Sequence, residues 1–123
     1  MDRFGSVLNC MDGRVQREAA DYFTDLFGVG PVDAVTAPGM VKHLALPTDR
    51  TAQILDDLRI SLEKHASTQI GVVAHADCAG NPVDDEVQKE QTAAAVAGLR
   101  SEFPEAEVVG VWLNIGGVAE PID

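Results

Sequence analysis

The chain has 123 residues, 46% of them hydrophobic, with 20 Asp and Glu against 9 Lys and Arg and a formal net charge of −11. That length suits one domain, residues 1–123, with a real core. The acidic balance argues against nucleic acid or an anionic membrane surface as a partner, since both need clustered Lys and Arg.

No apolar run approaches the roughly 20 residues of a membrane helix. Met1-Asp2-Arg3-Phe4-Gly5 lacks the basic-then-apolar layout of a secretion signal, so a cytoplasmic location is expected. Two cysteines, Cys10 and Cys78, are too few for a disulfide scaffold and in that compartment point to metal or redox chemistry.

Short β-branched runs alternate with longer amphipathic stretches. The first strand reads Gly5-Ser6-Val7-Leu8-Asn9-Cys10. A helix then runs from Val15 to Phe27, with Val15, Ala19, Tyr22, Phe23 and Leu26 at helical spacing, and is stopped by Gly28 and Gly30-Pro31. A second strand spans Asp33 to Ala37, cut by Pro38-Gly39, and a short helix follows from Met40 to Leu46. Thr48 or Asp49 is placed to cap the next helix, whose Ile54, Leu55, Leu58 and Leu62 line one face up to Lys64. The third strand, Gln69 to His75, is the most hydrophobic. Asp84, Asp85 and Glu86 sit where a helix start favours negative charge, and that helix reaches Phe103 before Pro104. The last strand is Glu107 to Leu113, after which Gly116-Gly117 and Pro121 predict an irregular end.

Near-continuous apolar strands joined by helices imply a parallel sheet with helices on its faces, an α/β domain of four strands. Function in such sheets gathers beyond the carboxyl ends of the strands. Both cysteines and one histidine fall there. Cys10 ends the first strand, His75 ends the third, and Cys78 lies in the turn after it. If those two strands are neighbours, the three side chains converge. Two thiolates and an imidazole suit zinc, and three protein ligands leave a fourth position open, as in catalytic sites. A zinc ion there would acidify a water. Asp12 and Arg14 follow Cys10 in the same turn. The carboxylate is placed to accept a hydrogen bond from that water, or to take the open position itself. A bidentate Arg14 would hold it away.

Plainer readings stand beside these. The cysteines also fit ordinary buried thiols or a redox pair, and His75 a satisfied core histidine. Asp12 and Arg14 also fit a turn salt bridge, with Asp12 as a helix cap. Asp77 fits a hydrogen bond to the loop backbone, His43 a proton shuttle or a pocket wall, and His65 a favourable charge at a helix end. Gly39 and Gly80 suit turns near the metal. No phosphate-loop or dinucleotide fingerprint is present.

Taken together, Cys10-Met11-Asp12-Gly13-Arg14 and His75-Ala76-Asp77-Cys78-Ala79-Gly80 resemble the two zinc motifs of the beta-class carbonic anhydrases, in the same order and about one β-α unit apart. The resemblance covers residues 5 to 115. It implies one zinc per chain on Cys10, His75 and Cys78, with Asp12 and Arg14 as the paired groups beside the open position. It further implies hydration of carbon dioxide to bicarbonate through a zinc-bound hydroxide, and a homodimer or multiple of dimers. Two thiolates donate more charge than imidazoles, so activity is expected to rise above neutral pH.

The chain departs from the family in two places. No counterpart of the family's N-terminal helical arm precedes Gly5, and the family's Arg-Asn-Ala-Gly segment here reads Thr36-Ala37-Pro38-Gly39-Met40. Alternatives are therefore a zinc-binding member without hydratase activity, a hydrolase of carbonyl sulfide or carbon disulfide, and, outside the family, a metal-free flavodoxin-like binding module.

Overall fold

The computed structural model describes residues 3–123. Its strands and helices alternate as β1 (Gly5–Asn9), α1 (Gln16–Phe27), β2 (Val32–Thr36), α2 (Met40–Ala45), α3 (Thr51–Lys64), β3 (Gln69–His75), α4 (Asp85–Glu102), β4 (Glu107–Leu113) and β5 (Ala119–Ile122). The sheet order is β2-β1-β3-β4-β5. The first four strands are parallel, as their apolar runs and helical connections require. β5 pairs antiparallel with β4, Gly110 facing Ile122 and Leu113 facing Ala119.

The sheet is thus five-stranded, not four-stranded, and the end of the chain is not irregular. Gly116 and Gly117, with φ of 120° and 103°, turn the chain so that β5 returns along β4. The other differences are at boundaries. A 3-10 turn over Gly13–Val15 precedes α1, and the Asp12 carboxylate caps it by accepting from Arg14 N–H at 2.8 Å. α3 begins with Arg50 at its cap position and no side-chain cap, while Thr48 Oγ1 accepts from Arg50 N–H two residues earlier.

Each face of the sheet carries its own core. On one, Val15, Ala19, Phe23 and Phe27 from the α1 side meet Val7, Val73, Val111 and Leu113. Phe23 lies flat over Gly71, where an added Cβ would come within 2.6 Å of its ring. Burying a phenyl ring of this size contributes about 1.5–3 kcal/mol. On the other face, α2, α3 and α4 bring Met40, Ile54, Leu58, Val96 and Leu99 onto Leu8, Ile70 and Val72. α1 alone covers the first face, and because β1, β2 and β3 are parallel the loops after them all open at one end of the sheet, beside α2.

No helix among the described residues is long and apolar enough to cross a membrane.

Candidate metal centre

Cys10 follows β1 directly, and β1 lies beside β3 with Leu8 opposite Val72. This neighbourhood brings Cys10, His75 and Cys78 together, all buried, with their ligand atoms within 4.8 Å of one another. It is the one such group of three metal-ligating side chains among the described residues.

The group fits a metal by three observations. The two sulfurs are 3.8 Å apart, and a tetrahedral zinc with Zn–S of about 2.3 Å sets two sulfurs about 3.8 Å apart. His75 Nδ1 donates to the Ala76 carbonyl at 2.8 Å, which leaves a lone pair on Nε2. That Nε2 is buried and has no partner within the chain. Burial pushes the Cys78 thiol up, and so do the charge and hydrogen bond of Cys10, while backbone N–H groups of Asn81 and Gly80 pull it down. Two buried thiolates this close repel, and a cation between them removes the conflict. Gly39 N–H donates to Cys10 Sγ at 3.5 Å.

Asp12 and Arg14 form a bidentate pair beside this group. Arg14 Nη2 donates to Asp12 Oδ2 at 2.6 Å and Nε to Oδ1 at 3.0 Å. The Arg14 side-chain and backbone hydrogen bonds hold the Asp12 carboxyl at about 2, well below the usual carboxylate range. The same bonds from Asp12, and a further one to Asp77, raise the guanidinium above its own range. Arg14 also ties the β1 loop to the β3 loop. Its Nη2 donates to the Asp77 carbonyl at 3.1 Å and its Nη1 to Asp77 Oδ2 at 3.3 Å. Asp77 is held at φ 56°, a left-handed conformation uncommon for a residue with a side chain.

The remaining histidines lie elsewhere. His43 is buried, with both ring nitrogens engaged, to Thr48 Oγ1 at 2.7 Å and the Pro38 carbonyl at 3.1 Å. His65 pairs with Asp33 Oδ2 at 2.7 Å, beside the start of the sheet.

Sequence reasoning missed the groups that brace the β3 loop. Asn81 donates to Gln91 at 2.7 Å, and Gln88, fully buried on α4, reaches the Asn81 carbonyl at 3.4 Å and accepts from Trp112 Nε1 at 3.2 Å. Their partners lie ten or more residues away in several cases, so no local pattern marks them. Two surface clefts of about 570 and 450 Å³ lie at the amino ends of β3 and β4 and along β2 with α3, and neither includes a residue of the cluster.

A parallel α/β sheet whose strand ends carry a buried Cys-His-Cys cluster beside an Asp–Arg pair defines a metal-competent α/β domain. The chain belongs to the carbonic anhydrase family: a family model described as "Putative carbonic anhydrase" matches residues 1–123. Its fold is that of the beta-class enzymes. It is similar to a carbonic anhydrase from Streptococcus mutans, with 17% identity over 98% of this chain and 81% of the other and a TM-score of 0.68. It is similar to a carbonic anhydrase from Glaciozyma antarctica, with 19% identity over 98% and 82% and a TM-score of 0.67. It is also similar to a tetrameric beta-carbonic anhydrase from Sordaria macrospora, with 14% identity over 98% and 81% and a TM-score of 0.65. No curated protein matches the sequence.

Proposed function

We propose that this chain is a zinc lyase that interconverts carbon dioxide and bicarbonate. The carrying observation is the Cys10–His75–Cys78 group with an unpartnered His75 Nε2 beside the Asp12–Arg14 pair. Cys10 Sγ, Cys78 Sγ and His75 Nε2 would hold one zinc per chain. When bound, zinc supplies the Lewis acidity that makes hydroxide available near neutral pH.

The chain's own residues do the rest. The Ala76 carbonyl fixes the His75 tautomer and ring orientation. Arg14 keeps Asp12 ionised and turned onto the guanidinium, so the carboxylate would stand beside a bound metal as a hydrogen-bond acceptor rather than a ligand. Asp12 then orients a nearby O–H group, and Arg14 fixes its geometry. The substrate is a small molecule, and the expected assembly is a homodimer or a multiple of dimers. Paired free thiols fit a reducing compartment such as the cytoplasm.

The test is stopped-flow hydration of carbon dioxide near pH 8.5, on protein of confirmed zinc content, beside Cys10→Ser. Activity that disappears in the variant supports the reading. One zinc per chain with no hydration would overturn it in favour of the second reading, a zinc-binding member or a hydrolase of carbonyl sulfide or carbon disulfide. That reading is favoured by the Thr36–Met40 loop, which carries neither Arg nor Asn.

A further inference from the structure

Two adjacent side chains of α2 reach the backbone behind the two cysteines. Lys42 Nζ donates to the Gly80 carbonyl at 2.6 Å. His43 Nε2 lies 3.1 Å from the Pro38 carbonyl, and since a carbonyl only accepts, Nε2 carries the proton. Nδ1 lies 2.7 Å from Thr48 Oγ1, so both ring nitrogens are held.

Each of these carbonyls belongs to a trans peptide group whose N–H points the opposite way. The Pro38 carbonyl shares its peptide group with Gly39 N–H, which donates to Cys10 Sγ at 3.5 Å. The Gly80 carbonyl shares its group with Asn81 N–H, which donates to the Cys78 carbonyl at 3.2 Å. A peptide group that accepts at oxygen becomes a stronger donor at nitrogen. One helix thus backs the Cys10 sulfur and the Cys78 backbone, each through a single peptide group.

We propose that Lys42 and His43 are positioning residues of the cysteine–histidine cluster, fixing and polarising the two peptide groups whose N–H bonds go to the Cys10 sulfur and the Cys78 carbonyl. The inference rests on the reading of that cluster as a zinc site. An ordinary surface role does not describe either residue. His43 is 5% exposed. Lys42 is half-buried and forms no ion pair with a carboxylate among the described residues, so its ammonium is directed at the Gly80 carbonyl alone. The two peptide groups also touch, because Gly39 packs against Gly80 with no room for a Cβ on either. A shift at one is therefore passed to the other. Groups of this kind behind metal ligands tune how tightly the metal is held without touching it.

The experiment measures zinc affinity of the whole chain by competition with a chromophoric chelator, and the thiolate-to-cobalt charge-transfer band of the cobalt-substituted protein. The variants are Lys42→Met, Lys42→Arg, His43→Phe and His43→Gln. We expect Lys42→Met and His43→Phe each to weaken zinc binding about tenfold and to shift the cobalt band. Lys42→Arg and His43→Gln, which keep a donor, should recover most of both. The metal-free thermal midpoint of Lys42→Met should stay at the wild-type value. Should His43→Phe fail to fold, the Lys42 pair and His43→Gln still decide the matter.

Wild-type affinity and an unshifted cobalt band in Lys42→Met would overturn the proposal and leave the zinc site standing. So would a loss that Lys42→Arg does not restore and that the metal-free midpoint follows in step, since that is a structural role only. A wild-type chain that takes up neither zinc nor cobalt would remove the site itself, and the proposal with it.

Discussion

Gly39 and Gly80 meet backbone to backbone: a Cβ on Gly39 would lie 2.5 Å from the Gly80 carbonyl oxygen, and one on Gly80 would lie 2.6 Å from the Gly39 nitrogen. Gly39 also has φ 61°, a left-handed conformation that suits glycine. This contact joins the loop after β2 to the loop after β3, and each loop presents an N–H to one cysteine. Gly80→Ala must push the two backbones apart, and an overpacked contact of this kind costs about 1–3 kcal/mol. Lower thermal stability and reduced zinc content on purification are expected together. A Gly80→Ala protein with wild-type midpoint and full zinc would show that the two loops move apart without consequence.

Arg14 serves two loops at once, through the Asp12 carboxylate at 2.6 Å and the Asp77 carbonyl at 3.1 Å. Lysine cannot reproduce that fork, because it offers a single point of charge. Arg14→Lys and Arg14→Ala should therefore both lower carbon dioxide hydration, by about 100-fold if Asp12 loses its orientation. Zinc should stay bound, since Arg14 is not part of the Cys10–His75–Cys78 cluster proposed to hold it. Hydration rates measured beside metal content separate the two effects. Full activity in Arg14→Lys would mean that a charge near Asp12 is enough, without the fork.

Much of this architecture is legible in the sequence, and the reasons differ between segments. Gln69–His75 and Glu107–Leu113 stand out as strands because both faces of the sheet are buried there, so their apolar residues run on without alternation. Cys10, His75 and Cys78 are legible as a group because each sits just past or at a strand end, and adjacent parallel strands bring such ends together. β5 is not legible. Its four residues include Glu120 and Pro121, which discourage a strand, and its edge position tolerates both. The pairing that makes it a strand comes from β4, after a Gly-Gly turn. The Lys42 and His43 contacts are equally hidden. They end on carbonyls of Gly80 and Pro38, and carbonyl placement is a property of the folded backbone.

The buried cluster predicts a large effect of metal removal. A ligand that binds only the folded chain stabilises it by RT ln(1 + [L]/Kd), about 4 kcal/mol at a thousandfold excess over Kd. Zinc should therefore raise the thermal midpoint by roughly 15 °C over chelator-treated protein. Cys10→Ser should show little of that rise, as should Cys78→Ser. Calorimetry with and without one equivalent of zinc makes the comparison. Equal midpoints for wild-type protein in the two conditions would count against zinc as a resident group.

Lys89 offers a test of the β5 pairing that is independent of the metal. Its ammonium bonds Glu120 Oε1 on β5 at 3.2 Å and Glu86 Oε1 at 3.5 Å, and lies 4.5 Å from the Trp112 ring centroid. The hydrogen bond it donates to Glu120 is the main reason the Lys89 pKa lies above its usual value of 10.5. A group whose pKa is raised on folding contributes its stabilisation fully below the unfolded value and loses it as pH rises through the folded one. The link between α4 and β5 should thus hold through neutral and mildly alkaline pH and loosen above 10.5. Trp112 is the single tryptophan, so its emission reports on this place directly. We expect an alkaline step in Trp112 emission in the wild type that is absent in Lys89→Met, because the cation that leaves the ring is already gone. Only the difference between the two titrations bears on Lys89. Superimposable titrations would show that the ammonium over the ring does not hold β5 in place.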